Sequence, residues 1–218
     1  MAGKFNVSSS PHVRDNSSTA VIMKDVCIAM IPTLAFGFFQ FGLSALIVVI
    51  CTVLACVLAE YLYEKLMKKP ITIGDFSAVV TGLILALNMP PQIPVWMPIL
   101  GGVFAIIVVK QLYGGLGQNF MNPALAARCF LLISFAGAMT NFSSVAMNYD
   151  SSSTATPLAS LKAIGIENAM EKYNMLNIFL GRIPGTIGEV STIALLIGAL
   201  YLVVRKVISL RIPLVYIA

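Results

Sequence analysis

The stretch Asp150-Ser151-Ser152-Ser153-Thr154-Ala155-Thr156-Pro157-Leu158 gathers hydroxyls, one carboxylate and no bulky side chain. It lies in the one long polar interval between apolar segments, from about Thr140 to Ile187. A threonine hydroxyl reacts little unaided, so covalent chemistry at Thr156 needs an enzyme that reads the local sequence and brings an activated phosphate. Ala155 is small enough for such a site to close around the hydroxyl, Asp150 can help bind that enzyme's metal, and Pro157 holds the acceptor extended. The plainer reading of the same residues is a solvated linker between helices.

A second constellation runs from Gly114 to Arg128. The glycines of Gly114-Gly115-Leu116-Gly117 allow close backbone approach, and a helix opening at Pro123 offers free amide donors beneath Asn119 and Asn122. Phe120 adds an aromatic face. The alternative is a helix–helix corner capped by asparagine. Arg128 falls one turn inside an apolar segment, where a cation is costly and is either functional or paired. An anionic phosphate or a carboxylate on another subunit would satisfy it.

Among the acids, Asp25, Glu60 and Asp75 fall at helix ends where a carboxylate can stay hydrated. They read either as simple interface charges or as an ion path, since Na⁺ prefers carboxylate and carbonyl oxygens. Glu189, near the start of a later helix, reads as a helix cap favoured by the dipole. Cys27, Cys51, Cys56 and Cys129 all lie in apolar segments without CxxC or CxxH spacing, so they read as packing residues rather than metal ligands.

The elements that must position these groups are helices in a bilayer. The chain is 58% hydrophobic and 11% charged, with mean hydropathy +0.90, far from the composition of a soluble domain. The apolar segments show no strand alternation, which excludes a transmembrane β-barrel. The net charge of +5 gives no reason to invoke nucleic acid. Apolar segments run from about Val21 to Phe41, Leu43 to Tyr63, Phe76 to Met89, Val95 to Tyr113, Ala124 to Met139 and Ile187 to Val204. The expected fold is an all-α, polytopic transmembrane helix bundle of about six spanning helices, some short or broken.

Residues 1–20 form a polar tail with no cleavable apolar leader, 21–139 hold five helices, 140–186 form the polar loop, and 187–218 hold a sixth helix and the start of a seventh. Leu214 to Ala218 opens that seventh apolar run, so a longer polypeptide is expected. Basic residues collect on cytoplasmic loops. With the N-terminus inside, Lys4, Arg14, Lys24, Lys65, Lys68, Lys69, Lys110, Arg205, Lys206 and Arg211 all fall inside, and only Lys162, Lys172 and Arg182 fall outside. The Thr156 loop is therefore expected to be extracytoplasmic.

Residues 150–156 resemble the Asp-x-x-(Ser/Thr)-Gly-Ala-Thr signature recognised by bacterial flavin transferases, with Ser153 and Ala155 matching and Thr154 where glycine is usual. Those enzymes move FMN from FAD to threonine as a phosphoester. The surrounding chain resembles the D subunit of the Rnf electron-transport complex, a relative of the B subunit of the sodium-translocating NADH:quinone reductase. The resemblance rests on Ser10-Pro11-His12, on Asp75 to Gly82 with Leu87-Asn88-Met89-Pro90-Pro91, on Phe120-Met121-Asn122-Pro123-Ala124, on Thr154 to Leu158 and on Pro184-Gly185-Thr186-Ile187-Gly188-Glu189, all in order.

The resemblance implies a membrane subunit of an ion-translocating ferredoxin:NAD⁺ oxidoreductase in the bacterial inner membrane, without catalysis of its own. It implies FMN at Thr156, and a second, non-covalent flavin (riboflavin or FMN) held by Asn119, Phe120, Asn122 and Arg128. The other Rnf subunits (A, B, C, E and G) and a flavin transferase would be its partners. The alternative is a channel or secondary transporter with discontinuous helices and no redox cofactor, suggested by the short, Pro-bounded Phe76–Met89 and the Asn122-Pro123 break.

Overall fold

The computed structural model describes residues 18–142, 162, 175–181 and 183–217. Thr156, Asp150, Ser153, Thr154 and Ala155 lie outside the described residues, as does Arg182. Among the described residues every regular element is helical.

Helix α1 covers Thr19–Phe41 and α2 covers Leu43–Leu66. Ser18 caps α1 by accepting from the Val21 amide at 3.4 Å. Gly42 alone separates the two helices, at φ +71°, a left-handed conformation that glycine adopts without steric cost. At ~1.5 Å per residue the pair reach ~34–36 Å, enough to cross ~30 Å of hydrocarbon. Both are long and apolar enough to span a membrane. Their outer faces carry Leu54, Leu58 and Leu62, each more than half exposed. A run of large apolar side chains facing outward suits lipid, not water.

Shorter apolar helices follow. A 3₁₀ turn at Ile73–Asp75 leads into α3, Ser77–Leu87. Helix α4 starts at Trp96 and is α-helical to Phe104; from Ala105 to Gln111 it widens into a π-helix. Helix α5, Pro123–Ser134, opens with proline at its first turn and Asn122 as its cap. Then come α6 (Ala136–Met139), α7 (Met175–Leu180), α8 (Thr192–Val204) and α9 (Arg211–Ile217). The core joins Val48 and Val49 of α2, Leu85 and Ala86 of α3, Leu131 of α5 and Ile187.

Side-chain contacts fix the ends of the bundle. One end gathers the start of α1, the end of α2, the start of α3 and the ends of α4 and α8. Lys24 lies 4.9 Å from the Phe76 ring centroid, Lys110 meets Glu60 and Ser77, and Arg205 meets Asp25. At the other end, Trp96 at the head of α4 packs edge-on against Phe135 at the tail of α5, with centroids 5.2 Å apart. Successive membrane-length and shorter apolar segments among the described residues therefore alternate in direction.

Three segment boundaries differ from those read in the sequence. The fifth segment does not run unbroken to Met139: it stops at Ser134, and Phe135 at φ −135° separates it from α6. Residues 175–180, inside the expected polar loop, are helical. The sixth helix starts at Thr192, not Ile187. Residues 186–190 form a turn against the end of α3 instead, where the Ile187 amide donates to Met89 O at 3.0 Å and the Gly188 amide to Leu87 O at 2.8 Å. The last carbonyls of a helix have no partner within it, and in hydrocarbon none can be left bare. The turn supplies those partners.

The approach is close. A Cβ on Gly188 would lie 2.7 Å from Leu87 Cβ and 3.0 Å from Leu87 O. Gly188→Ala is expected to destabilise the detergent-solubilised protein by ~1–3 kcal/mol, the usual penalty of overpacking. A thermal unfolding series checks it, and an unchanged midpoint would contradict this docking.

Candidate functional site

The ends of α2, α3 and α4 meet in a buried polar network. Lys110 is delivered by the π-helical turn, a widened turn of a kind that frequently marks a functional position. Its ammonium donates to Glu60 Oε1 at 2.7 Å, Glu60 Oε2 at 2.9 Å and Ser77 Oγ at 2.5 Å. Ser77 donates from Oγ at 2.6 Å and from its amide at 2.8 Å to Asp75 Oδ1. Gln111 Nε2 donates to Glu60 Oε1 at 2.8 Å and to Glu64 Oε1 at 3.4 Å. The Glu64 carboxylate also accepts from the Thr72 amide at 3.0 Å and from the Thr72 hydroxyl. Glu60 is 0% exposed, and Glu64 and Lys110 each 2%.

The expectation that Glu60 and Asp25 stay hydrated at their helix ends is therefore corrected. Both carboxylates are buried, because neighbouring helices close over them and supply the hydrogen bonds that water would have made. The ion-path candidates also separate into two groups. Glu60 and Asp75 join through Lys110 and Ser77. A cavity of about 320 Å³ lies beside them, lined by Glu64, Lys69, Thr72, Asp75, Gln111, Gly114 and Gly115.

Asp25 belongs to a different arrangement. Its carboxylate accepts from Tyr201 Oη at 3.0 Å, Arg205 Nε at 3.3 Å and Arg205 Nη2 at 3.2 Å. This ties α1 to α8, which approach so closely that a Cβ on Gly198 would collide with Ala29 O. The guanidinium is half exposed, so solvent screening leaves the pair little net worth. Asp25→Asn is expected to lower the thermal midpoint slightly and leave ion movement intact. Loss of ion movement at normal stability would restore Asp25 to the ion path.

The residues around Asn122 divide as well. Asn122 Oδ1 accepts from the Ala124 amide at 3.0 Å and the Leu125 amide at 3.3 Å, an N-cap that the corner reading anticipates. Asn119 Nδ2 donates to Met121 O at 2.8 Å. Phe120 lies 4.7 Å, centroid to centroid, from Tyr113. These rings help line a cavity of about 520 Å³ with Phe104, Val108, Leu125 and Cys129, and Asn122 at its edge. Apolar and aromatic walls of this kind fit the faces of a planar heteroaromatic ring.

Arg128 does not join them. Its Nη1 donates to Asn88 Oδ1 at 2.7 Å, on the α3 side. Asn88 in turn donates to Ile84 O at 2.8 Å. Arg128 thus braces α5 against α3 through a neutral partner. Glu189, expected to cap a helix, caps the preceding turn: its Oε1 accepts from the Thr186 amide at 3.2 Å. Ser191 is the helix cap, accepting from the Ala194 amide at 3.3 Å.

Lys110, Ser77, Gln111 and Glu64 are members of the network that reading the sequence did not single out. One signal in the sequence bears on three of its positions, Thr72, Asp75 and Ser77. Thr72-Ile73-Gly74-Asp75-Phe76-Ser77 and Thr186-Ile187-Gly188-Glu189-Val190-Ser191 follow a single pattern, and each opens a helix. The two motifs sit at opposite ends of α3, the first at its start and the second against its last carbonyls.

Comparison with known proteins supplies a lineage. A family model described as the NQR2, RnfD, RnfE family matches residues 6–218. The D subunit of the Na⁺-translocating ferredoxin:NAD⁺ oxidoreductase complex of Acetobacterium woodii is 52% identical over 213 residues, covering 98% of this chain and 66% of the relative. The D subunit of the proton-translocating ferredoxin:NAD⁺ oxidoreductase complex of Clostridium ljungdahlii is 45% identical over 219 residues, with the same coverage. The D subunit of the ion-translocating oxidoreductase complex of Escherichia fergusonii is 36% identical over 247 residues, covering 98% of this chain and 70% of the relative. The chain spans about two thirds of the length of these relatives.

Proposed function

The chain belongs to the NQR2, RnfD, RnfE family, and from that premise we propose that it serves as the D-type membrane component of an Rnf electron-transport complex. In this reading the complex passes electrons between ferredoxin and NAD⁺ and moves Na⁺ or H⁺ across the bacterial inner membrane. The chain makes and breaks no substrate bond alone. It crosses the membrane about six times with its N-terminus in the cytoplasm, and the end holding Lys24, Lys65, Lys110 and Arg205 faces inward. The carrying observation is a charged network, Glu60–Lys110–Ser77–Asp75, buried in an apolar bundle whose relatives are ion-translocating subunits. Ionisable groups buried between the helices of a membrane protein read by default as functional, and the relatives' names make ion movement the function to test.

Thr156 is the proposed anchor of FMN on the outer face. The hydroxyl oxygen takes the FMN phosphate from FAD, forming a phosphoester; the pyrophosphate bond breaks, AMP leaves and the hydroxyl proton is released. Bound flavin would supply electron uptake and release. The protein's part would be to hold it, with Asp150, Ser153, Thr154 and Ala155 as the motif that precedes the acceptor and Pro157 directly after it. The Phe120–Tyr113 cavity is the proposed place for a second, non-covalent flavin, with Asn122 at its edge and Arg128 bracing α5 from the opposite side. The other Rnf subunits and a flavin transferase are the proposed partners.

Membranes from cells lacking this protein are expected to lose ferredoxin-dependent NAD⁺ reduction and the cation uptake that accompanies it, and to regain both with the wild-type gene. Unchanged electron transfer would contradict the proposal. The second reading, a transporter without redox chemistry, is favoured by the chain breaks that meet at Met89 and Ile187. It requires cation movement that is independent of any electron donor.

A further inference from the structure

The network at the ends of α2, α3 and α4 is sealed in a particular way. The 320 Å³ cavity reaches Glu64, Asp75 and Gln111, but Glu60 is not among its lining residues. Glu60 lies behind it, 0% exposed, with both carboxylate oxygens held by the Lys110 ammonium. Among the described residues, Glu60 is the one carboxylate in contact with this buried ammonium; Asp75 is reached through Ser77 and Glu64 through Gln111, with Lys69 lining the cavity. A lysine packed against a carboxylate inside a membrane protein is an expensive arrangement, and replacing such pairs by apolar residues is often neutral or stabilising. Packing alone therefore gives no reason to keep it.

We propose that Lys110 is a tethered cation that occupies Glu60 and gates the ion route, releasing it for a translocated monovalent cation by shifting toward Asp75. This rests on the reading of the network as an ion path and names its gate. Three features support the shift. The ammonium already contacts Ser77 Oγ at 2.5 Å, and Ser77 Oγ contacts Asp75 Oδ1 at 2.6 Å, so the second carboxylate is one hydroxyl away. Asp75 borders the cavity, so a lysine drawn to it opens a passage from cavity to Glu60. Lys110 sits in the π-helical stretch from Ala105 to Gln111, an element that occurs frequently at functional sites. No bond is made or broken; the positive charge at Glu60 is exchanged, ammonium for incoming cation.

The test uses the whole complex, purified and reconstituted in vesicles, with ²²Na⁺ and a pH-sensitive dye as alternative probes of the cation. Lys110→Met and Lys110→Arg are compared with wild type, and Glu60→Gln with Lys110→Met supplies a variant with no unpaired buried charge if the single change fails to assemble. In the Lys110→Met complex, or in the double variant, electron transfer is expected to stay within twofold of wild type. Cations moved per electron pair are expected to fall ~5-fold or more, the low end of ordinary coupling free energies. Vesicles of the Lys110→Met complex should leak the cation without any electron donor, the double variant, without the Glu60 carboxylate, should not, and Lys110→Arg should retain most of the coupling. A merely structural lysine would lower electron transfer and ion movement together. That result, or full coupling in an assembled Lys110→Met or double variant, overturns the gate. A wild-type complex that moves neither probe overturns the ion-path reading itself.

Discussion

Thr156→Val is expected to yield an assembled protein with no covalent flavin and a complex whose ferredoxin-dependent NAD⁺ reduction falls to background. Valine matches threonine in shape but has no oxygen to carry the phosphate, so the bond cannot form. The effect is all-or-none because the flavin transferase has no substitute acceptor at that position. Ser151, Ser152, Ser153 and Thr154 lie close by, but none is followed by proline. On a denaturing gel the wild-type band should fluoresce under ultraviolet light and the Thr156→Val band should be dark. A fluorescent Thr156→Val band would move the attachment elsewhere. A dark band with normal electron transfer would make the flavin dispensable. Ser153→Ala, inside the motif but not at the acceptor, is expected only to lower the fraction modified.

The second large effect concerns stability. Glu60→Ala leaves the Lys110 ammonium 2% exposed with Ser77 as its remaining partner and no counter-charge in contact. Breaking a buried pair from one side typically costs ~3–5 kcal/mol, because the partner stays buried and uncompensated. Gln111 also loses its shorter acceptor and keeps only Glu64, at 3.4 Å. The Glu60→Ala protein is expected to assemble poorly or to melt well below wild type. Glu60→Leu combined with Lys110→Leu should recover most of that loss, since the charge is then gone from both sides. A thermal unfolding series on the purified complex checks both, and a Glu60→Ala protein as stable as wild type would contradict the burial of the pair.

The helices were legible because each apolar run is long and its punctuation is chemical: Gly42 at a tight link, Asn122-Pro123 at a helix start, Pro90-Pro91 beyond a helix end. The break at Phe135 carries no such mark, since neither glycine nor proline stands there. The turn at 186–190 read as helix because Ile187 and Val190 are apolar. The Ile187 and Gly188 amides are instead drawn to the carbonyls of Met89 and Leu87 at and just past the end of α3, a contact made across nearly a hundred residues of chain.

The network was legible in part. Glu60 and Asp75 stand out in the sequence as acids at helix ends, but their partner Lys110 lies 50 residues from Glu60 and reaches it through a π-helical turn, for which no composition signal exists. Arg128 was recognisable as a cation needing a partner. That the partner is the neutral amide of Asn88, and not a phosphate or carboxylate, depends on the depth at which α3 ends.

The most direct measurement is mass spectrometry of peptides from this protein, purified within an active complex. The peptide containing Thr156 is expected to carry one FMN, added with loss of one water, with fragment ions assigning it to the Thr156 oxygen. Recovery of that peptide unmodified from a complex that still reduces NAD⁺ with ferredoxin would contradict the account.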